Sequence, residues 1–230
     1  MKTRFIVNPH AGGGARALPR VTAFAAQVGA EVTLTQHALH ATELATQALA
    51  DGCELIVAVG GDGTMNEVAG RLVGSPATFG LIPCGSGNGL GRHLCIHGRV
   101  EHALAVLRTG RPRLIDSGVV DGHPFFTAAG LGFEAEVAAR FNQLSGRGFA
   151  RYVTVAADLW RRYRAEDCVI ECDGQRLAAR AFTLVVANSD QYGNNAVIAP
   201  GARVDDGLLD LTVVPPVNLL RALPMLVKLF

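Results

Sequence analysis

The chain has 230 residues, 49% of them hydrophobic and 18% charged, with a formal net charge of +1. Such a composition belongs to a globular protein rather than a disordered one, and the length suffices for one large domain or two smaller ones. Near-neutral charge and only 6% aromatic residues exclude a broad basic surface or a base-stacking platform, so no nucleic-acid partner is expected.

Taken in chain order, residues 1–4 lead straight into a short apolar run at 5–7 without a signal-peptide pattern. That run ends at Asn8-Pro9 and a glycine loop, Gly12 to Gly14. Leu18, Val21, Phe24, Ala25 and Val28 recur at helical spacing and predict a helix over 15–28. A strand over 31–35 and a helix over 42–50 follow. Residues 55–59 are apolar without alternation, as in a strand buried on both faces of a parallel sheet. Beyond a first glycine turn come a helix over 66–72, a strand over 79–82, a second glycine turn, and helices over 90–94 and 100–107. Strands alternating with helices predict a parallel sheet covered on both sides.

Past Leu114 the pattern becomes strand-rich, with runs at 115–120, 125–129, 168–172, 182–187 and 209–214. Asp121-Gly122, Asp173-Gly174 and Asp206-Gly207 separate them as turn signals. Two helical stretches interrupt, near 135–141 and 152–163. The expected organisation is an α/β domain over 1–112 and a β-rich domain over 113–230. No apolar run approaches the roughly 20 residues of a membrane-spanning helix, so a cytoplasmic protein without a transmembrane segment is expected. Five cysteines without a CxxC pair are read as reduced residues in or near the core. Residues 219–230 are apolar with helical character and no C-cap signal, and the chain is expected to lack a C-terminal part.

The two glycine turns are the chemically informative segments. Gly60-Gly61-Asp62-Gly63-Thr64-Met65-Asn66-Glu67 joins a buried strand to a helix. Glycines let the backbone approach a phosphate without an intervening Cβ, and the helix start offers unpaired N–H groups and a positive dipole end. Asp62 is unusual there, because a bare carboxylate repels phosphate; it makes sense beside a metal-bound water or a hydroxyl nucleophile. Pro83-Cys84-Gly85-Ser86-Gly87-Asn88-Gly89 makes the second strand-to-helix turn. In a doubly wound sheet these turns and Asn8-Pro9 share one crevice. Plain connections in α/β proteins look similar. Neither the Rossmann spacing nor a Walker A motif is present, which disfavours a typical dehydrogenase and a P-loop kinase.

Together, Asn8-Pro9, Gly60-Gly61-Asp62-Gly63-Thr64-x-Asn66-Glu67 and Pro83-x-Gly85-Ser86-Gly87-Asn88 resemble the diacylglycerol kinase catalytic-domain family. That family includes bacterial lipid kinases, sphingosine kinases and ceramide kinases; NAD kinases share the first motif. The resemblance continues at Gly130-Leu131-Gly132-Phe133-Glu134 and from Ala199 to Asp210, and so covers nearly the whole chain. It implies an N-terminal NAD kinase/diacylglycerol kinase-like parallel-sheet α/β domain followed by an incomplete β-rich sandwich domain.

By resemblance, the cofactors are ATP and Mg2+, and the reaction is transfer of the γ-phosphoryl group to a lipid hydroxyl. The nucleotide would meet Gly60, Gly61, Asp62, Gly63, Thr64, Met65, Asn66 and Glu67, with Ser86 from the second turn and Thr35 from the second strand. Thr42 is a second candidate for the role of Thr35. Asn8 and Asn88 match positions lining the cleft, or serve only as turn formers. Magnesium would be held by the Asp206 side chain and the carbonyls of Arg203 and Leu208; a simple turn at Asp206-Gly207 is compatible with that. Glu134 stands where many relatives carry aspartate, either near the acceptor hydroxyl or as an acid at a helix start.

The family's catalytic glutamate lies in a segment not found here, so Asp62 is the carboxylate nominated for catalysis, and Asp62→Asn in a full-length protein is expected to leave the fold intact and abolish transfer. Arg16, Arg20 and Arg92 are candidates for stabilising charge, and the histidines are read as structural. The partner is a lipid at a membrane surface, met transiently; a homodimer is compatible. The stretch 152–163, with Arg161, Arg162 and Arg164, reads as a surface helix or one facing the membrane. Two alternatives stay open: an ATP-binding protein without catalysis, and an NAD kinase, against which the Ser86-Gly87-Asn88 turn and Asp205-Asp206-Gly207 both argue.

Overall fold

The structure, a computed structural model, describes residues 1–143 and 149–216. Its first half contains β1 (Thr3–Val7), α1 (Gly14–Val28), β2 (Glu31–Leu34), α2 (His40–Ala50), β3 (Leu55–Gly60), α3 (Asp62–Leu72), β4 (Thr78–Pro83), α4 (Gly89–His93) and α5 (Val100–Thr109). The four strands are parallel in the order β2-β1-β3-β4. β1 and β3 are buried along their whole length, as apolar runs in the sheet centre must be, whereas β2 is an exposed edge. Side-chain alternation divides the core. Phe5, Val7, Val57 and Val59 join Val21 and Phe24 of α1 and Leu104 of α5. Ile6, Ile56 and Ala58 face Ala45 of α2 and Val68 of α3 on the other side.

Helix α3 begins four residues before the expected position. Only Gly61 adopts an extended turn conformation (φ −91°, ψ −170°), and Asp62-Gly63-Thr64 are already helical. Glycine's low helix propensity hides this in the sequence. Helix α2 likewise starts at His40 rather than Thr42, with Leu39 in the left-handed region at its N-cap.

The second half contains β5 (Gly118–Val120), β6 (His123–Phe125), β7 (Ala128–Gly132), α6 (Phe133–Gln143), α7 (Phe149–Trp160), β8 (Glu166–Cys172), β9 (Gln175–Ala181), β10 (Thr183–Ala187), β11 (Gln191–Gly193), β12 (Ala196–Val197) and β13 (Asp210–Val214). All its pairings among the described residues are antiparallel, with β13-β10-β7 as the three-stranded sheet and three separate hairpins. Asp121-Gly122 and Asp173-Gly174 make the β5–β6 and β8–β9 turns with positive φ at both residues. Phe133 and Trp160 of the two helices pack on Phe182, with ring centroids 4.6 and 4.7 Å away.

Phe126 and Val204 enter the α2–α3 core, and Asn66 Nδ2 donates to the Pro124 carbonyl at 3.2 Å, joining the two halves.

Several expectations need correction. The strand expected over 115–120 shortens to β5, because Asp116 serves a loop described below, and the run 125–129 divides where Thr127 carbonyl accepts the N–H groups of Asn188 and Ser189. All five cysteines are free, but only Cys53 and Cys84 are buried, while Cys95 and Cys172 are exposed. The apolar stretch 219–230 lies outside the described residues. No helix among the described residues is long and apolar enough to cross a membrane.

Candidate functional site

Strand β1 pairs with β2 on one side and β3 on the other, so the chain direction switches between the carboxyl ends of β1 and β3, where open α/β sheets bind ligands. Three turns meet at that edge, stitched by backbone hydrogen bonds. Asn8 N–H donates to Val59 carbonyl (2.9 Å), Cys84 N–H to Gly60 carbonyl (2.7 Å), and Gly13 N–H to Cys84 carbonyl (2.7 Å). The first and second glycine turns touch so closely that a Cβ on Gly85 would lie 2.6 Å from Gly61 Cα. Glycine is required there by contact, not by a special dihedral.

Helix α3 has no side-chain N-cap, and its first intrahelical bond runs from Met65 N–H to Gly61 carbonyl at 3.0 Å. The N–H groups of Asp62, Gly63 and Thr64 therefore lack an intrahelical acceptor and present the positive helix end at the switch point. Met65 itself is buried, its side chain in the core and its N–H used within the helix. Thr64 Oγ1 accepts from Asn8 Nδ2 (3.1 Å), and Asn8 Oδ1 accepts from His10 N–H (2.9 Å). A cleft of about 220 Å³ opens beside them; Asn8, Thr35, His37, Thr64 and Glu67 are among its walls. Thr35 thus stands with Asn8 and Thr64, whereas Thr42 does not line the cleft. Glu67 also has a local duty: its Oε2 accepts Ala41 N–H (3.1 Å) in the first turn of α2.

Asp62 is engaged rather than free. Its Oδ2 accepts Asn88 N–H at 2.8 Å and its Oδ1 accepts Gly89 N–H at 2.7 Å. The carboxylate thereby ties the first turn to the second. Asn88, in the left-handed region, spends its amide on Gly85, accepting from the N–H (2.8 Å) and donating to the carbonyl (2.7 Å). Ser86 is exposed at the tip of this turn. Burial pushes the Cys84 thiol up to about 11, which removes it as a thiolate nucleophile near neutral pH.

In the second half, Asp206 is exposed and its Oδ1 accepts Leu208 N–H (3.1 Å). Asp116, which the sequence did not single out, accepts Gly207 N–H through Oδ2 at 2.7 Å and so anchors the same loop. The residues expected to hold magnesium would offer only oxygen atoms, one carboxylate and two carbonyls, the chemistry magnesium requires. Among the described residues, His37, His40 and Glu43 are the one side-chain cluster with metal-like proximity. His40 Nδ1, however, accepts Gln36 N–H (3.0 Å), which places the ring proton on Nε2 and makes that nitrogen a poor ligand.

Glu134, at the start of α6, accepts a hydrogen bond from the Tyr192 hydroxyl at 3.0 Å. Burial raises its pKa above the usual carboxylate value, with the Tyr192 bond opposing the shift. Arg20 is paired with Glu101 (2.6 Å), and Arg16 is exposed in the first turn of α1. Arg92 is gathered to the second turn, its Nε donating to Gly87 carbonyl at 2.8 Å. Tyr192 carried no motif that would have announced it.

The profile described as the diacylglycerol kinase catalytic domain matches residues 2–120, and that of the YegS C-terminal NAD kinase beta sandwich-like domain matches residues 127–230. A probable lipid kinase YegS-like protein of Pseudomonas aeruginosa is 36% identical over 188 residues, covering 76% of this chain and 59% of the relative. An uncharacterised protein of Synechocystis is 29% identical over 210 residues, covering 87% of this chain and 48% of that protein. The chain thus spans about half to three-fifths of these relatives. A crystal structure of a putative diacylglycerol kinase from Bacillus anthracis superposes with a TM-score of 0.78 at 26% identity, covering 93% of this chain and 74% of the other. The chain belongs to the diacylglycerol kinase catalytic-domain family.

Proposed function

We propose that the chain binds ATP at the switch point and serves transfer of its γ-phosphoryl group to a lipid hydroxyl, with residues 1–112 as the nucleotide half and 113–230 as the lipid half. The observation that carries this reading is the uncapped start of α3, stitched to two other turns beside the cleft containing Asn8, Thr35 and Thr64. Free N–H groups at Asp62, Gly63 and Thr64 suit phosphate oxygens, which accept hydrogen bonds and favour a positive helix end. Phosphoryl transfer asks the protein mainly for positioning and charge stabilisation, which rigid backbone donors supply. Magnesium, held by Asp206 and the carbonyls of Arg203 and Leu208, would contribute positive charge that fixes the loop carrying them.

Asp62 acts in this reading by positioning the second turn. Glu134 is the acceptor-side carboxylate: burial raises its proton affinity toward the range a general base needs, and Tyr192 orients it. The protein works in the cytoplasm and meets its lipid at the membrane surface. A nucleotide-binding role without catalysis is favoured by one observation, that both Asp62 oxygens are already occupied. Incubation with labelled ATP, a panel of diacylglycerol, sphingosine and ceramide in vesicles, and NAD separates these readings. Label on a lipid supports the kinase; label on NAD alone sinks it; ATP binding without any labelled product selects the non-catalytic role.

A further inference from the structure

The second glycine turn is gripped by the β-rich half as well as by Asp62. Strands β11 and β12 form a hairpin whose tip, Asn194-Asn195, has positive φ at both residues. Asn194 N–H donates to Gly87 carbonyl at 2.9 Å, and Arg92 Nε donates to the same oxygen at 2.8 Å. The Arg92 guanidinium also donates to Asn195 Oδ1. Just before the hairpin, Asp190 Oδ1 lies 2.6 Å from His93 Nδ1. Gly193, at φ 111°, permits the approach, because a Cβ there would sit 2.9 Å from Gly87 Cα.

Two of these contacts, from Asn194 N–H and Arg92 Nε, act directly on a single peptide plane, and the other two hold their bearers in place. Gly87 carbonyl and Asn88 N–H belong to one planar trans unit and point in opposite directions. The hairpin and Arg92 hold the carbonyl edge, while the Asp62 carboxylate holds the N–H edge. Both edges being fixed, the plane cannot rotate without breaking hydrogen bonds on one side. The same hairpin carries Tyr192, whose hydroxyl binds Glu134. One short element therefore touches both the phosphate turn and the acceptor-side carboxylate.

We propose that the β11–β12 hairpin is a positioning element that locks the Gly87–Asn88 peptide and sets the nucleotide turn relative to Glu134, with Asp190 and Asn195 as positioning residues. The proposal rests on the nucleotide reading of that turn. Two disrupting variants and one restoring variant of the full chain test it. Asn195→Gly keeps the left-handed backbone and removes only the contact with Arg92. Asp190→Ala removes the partner of His93, and Asp190→Asn restores an acceptor.

Hydrogen exchange over residues 87–92, without nucleotide, is measured together with Mg·ADP affinity by calorimetry. Asn195→Gly and Asp190→Ala are each expected to speed exchange and weaken ADP binding by about tenfold, the scale of one lost hydrogen bond. Asp190→Asn should recover most of both effects, and Glu171→Gln on the separate β8–β9 hairpin should change neither. Unaltered exchange at 87–92 in both variants overturns the proposal. If the unaltered chain binds no ADP, the nucleotide reading fails, and the exchange result still decides whether the hairpin holds the turn. Should Asp190→Ala fail to fold, Asn195→Gly carries the test alone.

Discussion

Replacing Asp62 by asparagine isolates what its carboxylate contributes. Both oxygens accept backbone N–H groups, from Asn88 at 2.8 Å and Gly89 at 2.7 Å. Asparagine keeps one acceptor and turns an NH2 group toward the other donor, so one charge-assisted bond is lost and one N–H is left facing a donor. Bonds to a charged group are worth about 1.5–3 kcal/mol, and an unsatisfied partner adds to the loss, giving a cost of about 2–3 kcal/mol. In a chain of this size each kcal/mol lowers Tm by about 2–4 °C, so the variant should melt about 4–12 °C lower. Thermal unfolding followed by circular dichroism measures the shift, and hydrogen exchange should place the loosening at Asn88 and Gly89. The fold is expected to survive Asp62→Asn, at this lower stability. A variant with unchanged Tm and unchanged exchange at those two amides would refute the tie between the turns and return Asp62 to the role of a free catalytic carboxylate.

Glu134→Gln should stabilise the protein at neutral pH. The folded state raises the pKa of Glu134, so it binds the proton more tightly than the unfolded chain, and stability falls as pH rises from the ordinary carboxylate range through the raised value. The variant lacks that loss, and its Tm should exceed that of the unaltered protein above this window but not below it; parallel pH profiles would contradict the burial of the charge. If Glu134 serves the acceptor, the same variant should lose lipid phosphorylation while gaining stability. Glu67→Ala removes the acceptor for Ala41 N–H at the start of α2 and should cost about 0.5–2 kcal/mol, as other N-terminal capping losses do. Denaturant unfolding reads that cost, and an unchanged midpoint would show that water replaces the carboxylate.

The parallel sheet was legible because its signal is burial. Residues 55–59 carry no polar alternation, and that pattern has few uses outside a sheet centre. The β5–β6 and β8–β9 turns were legible because Asp-Gly suits two consecutive positive-φ residues. Strand β9 was missed: Gln175-Arg176-Leu177-Ala178-Ala179-Arg180-Ala181 contains no β-branched or aromatic residue, and only its pairing with β8 makes it a strand. β11 and β12 were missed because strands of three and two residues have no measurable period.

At the site, the glycine turns and Thr35 could be placed from sequence and resemblance, and the structure brings Asn8, Thr35, Thr64 and Glu67 to one cleft. The duties of Asp62, Glu67 and Asn88 were illegible. Each uses its side chain on a backbone N–H, and which backbone lies within reach is a property of packing, not of residue type. Asp116 and Tyr192 act across 91 and 58 positions of sequence respectively, a separation no local pattern reports.

Gly63 gives the most direct test of phosphate binding at the switch point. A Cβ added there meets nothing within 4 Å, and the residue lies exposed in the first turn of α3. Gly63→Glu should therefore fold normally, since an acid near a helix start is favourable, while its side chain and charge occupy the space a phosphate needs. Calorimetric titration of Mg·ATP into both proteins, with Tm measured in parallel, is the decisive experiment. Binding to the unaltered chain that disappears in Gly63→Glu at equal or higher Tm is the expected result. Equal ATP affinity in the two proteins would contradict the assignment of the Gly60–Thr64 turn as the phosphate site.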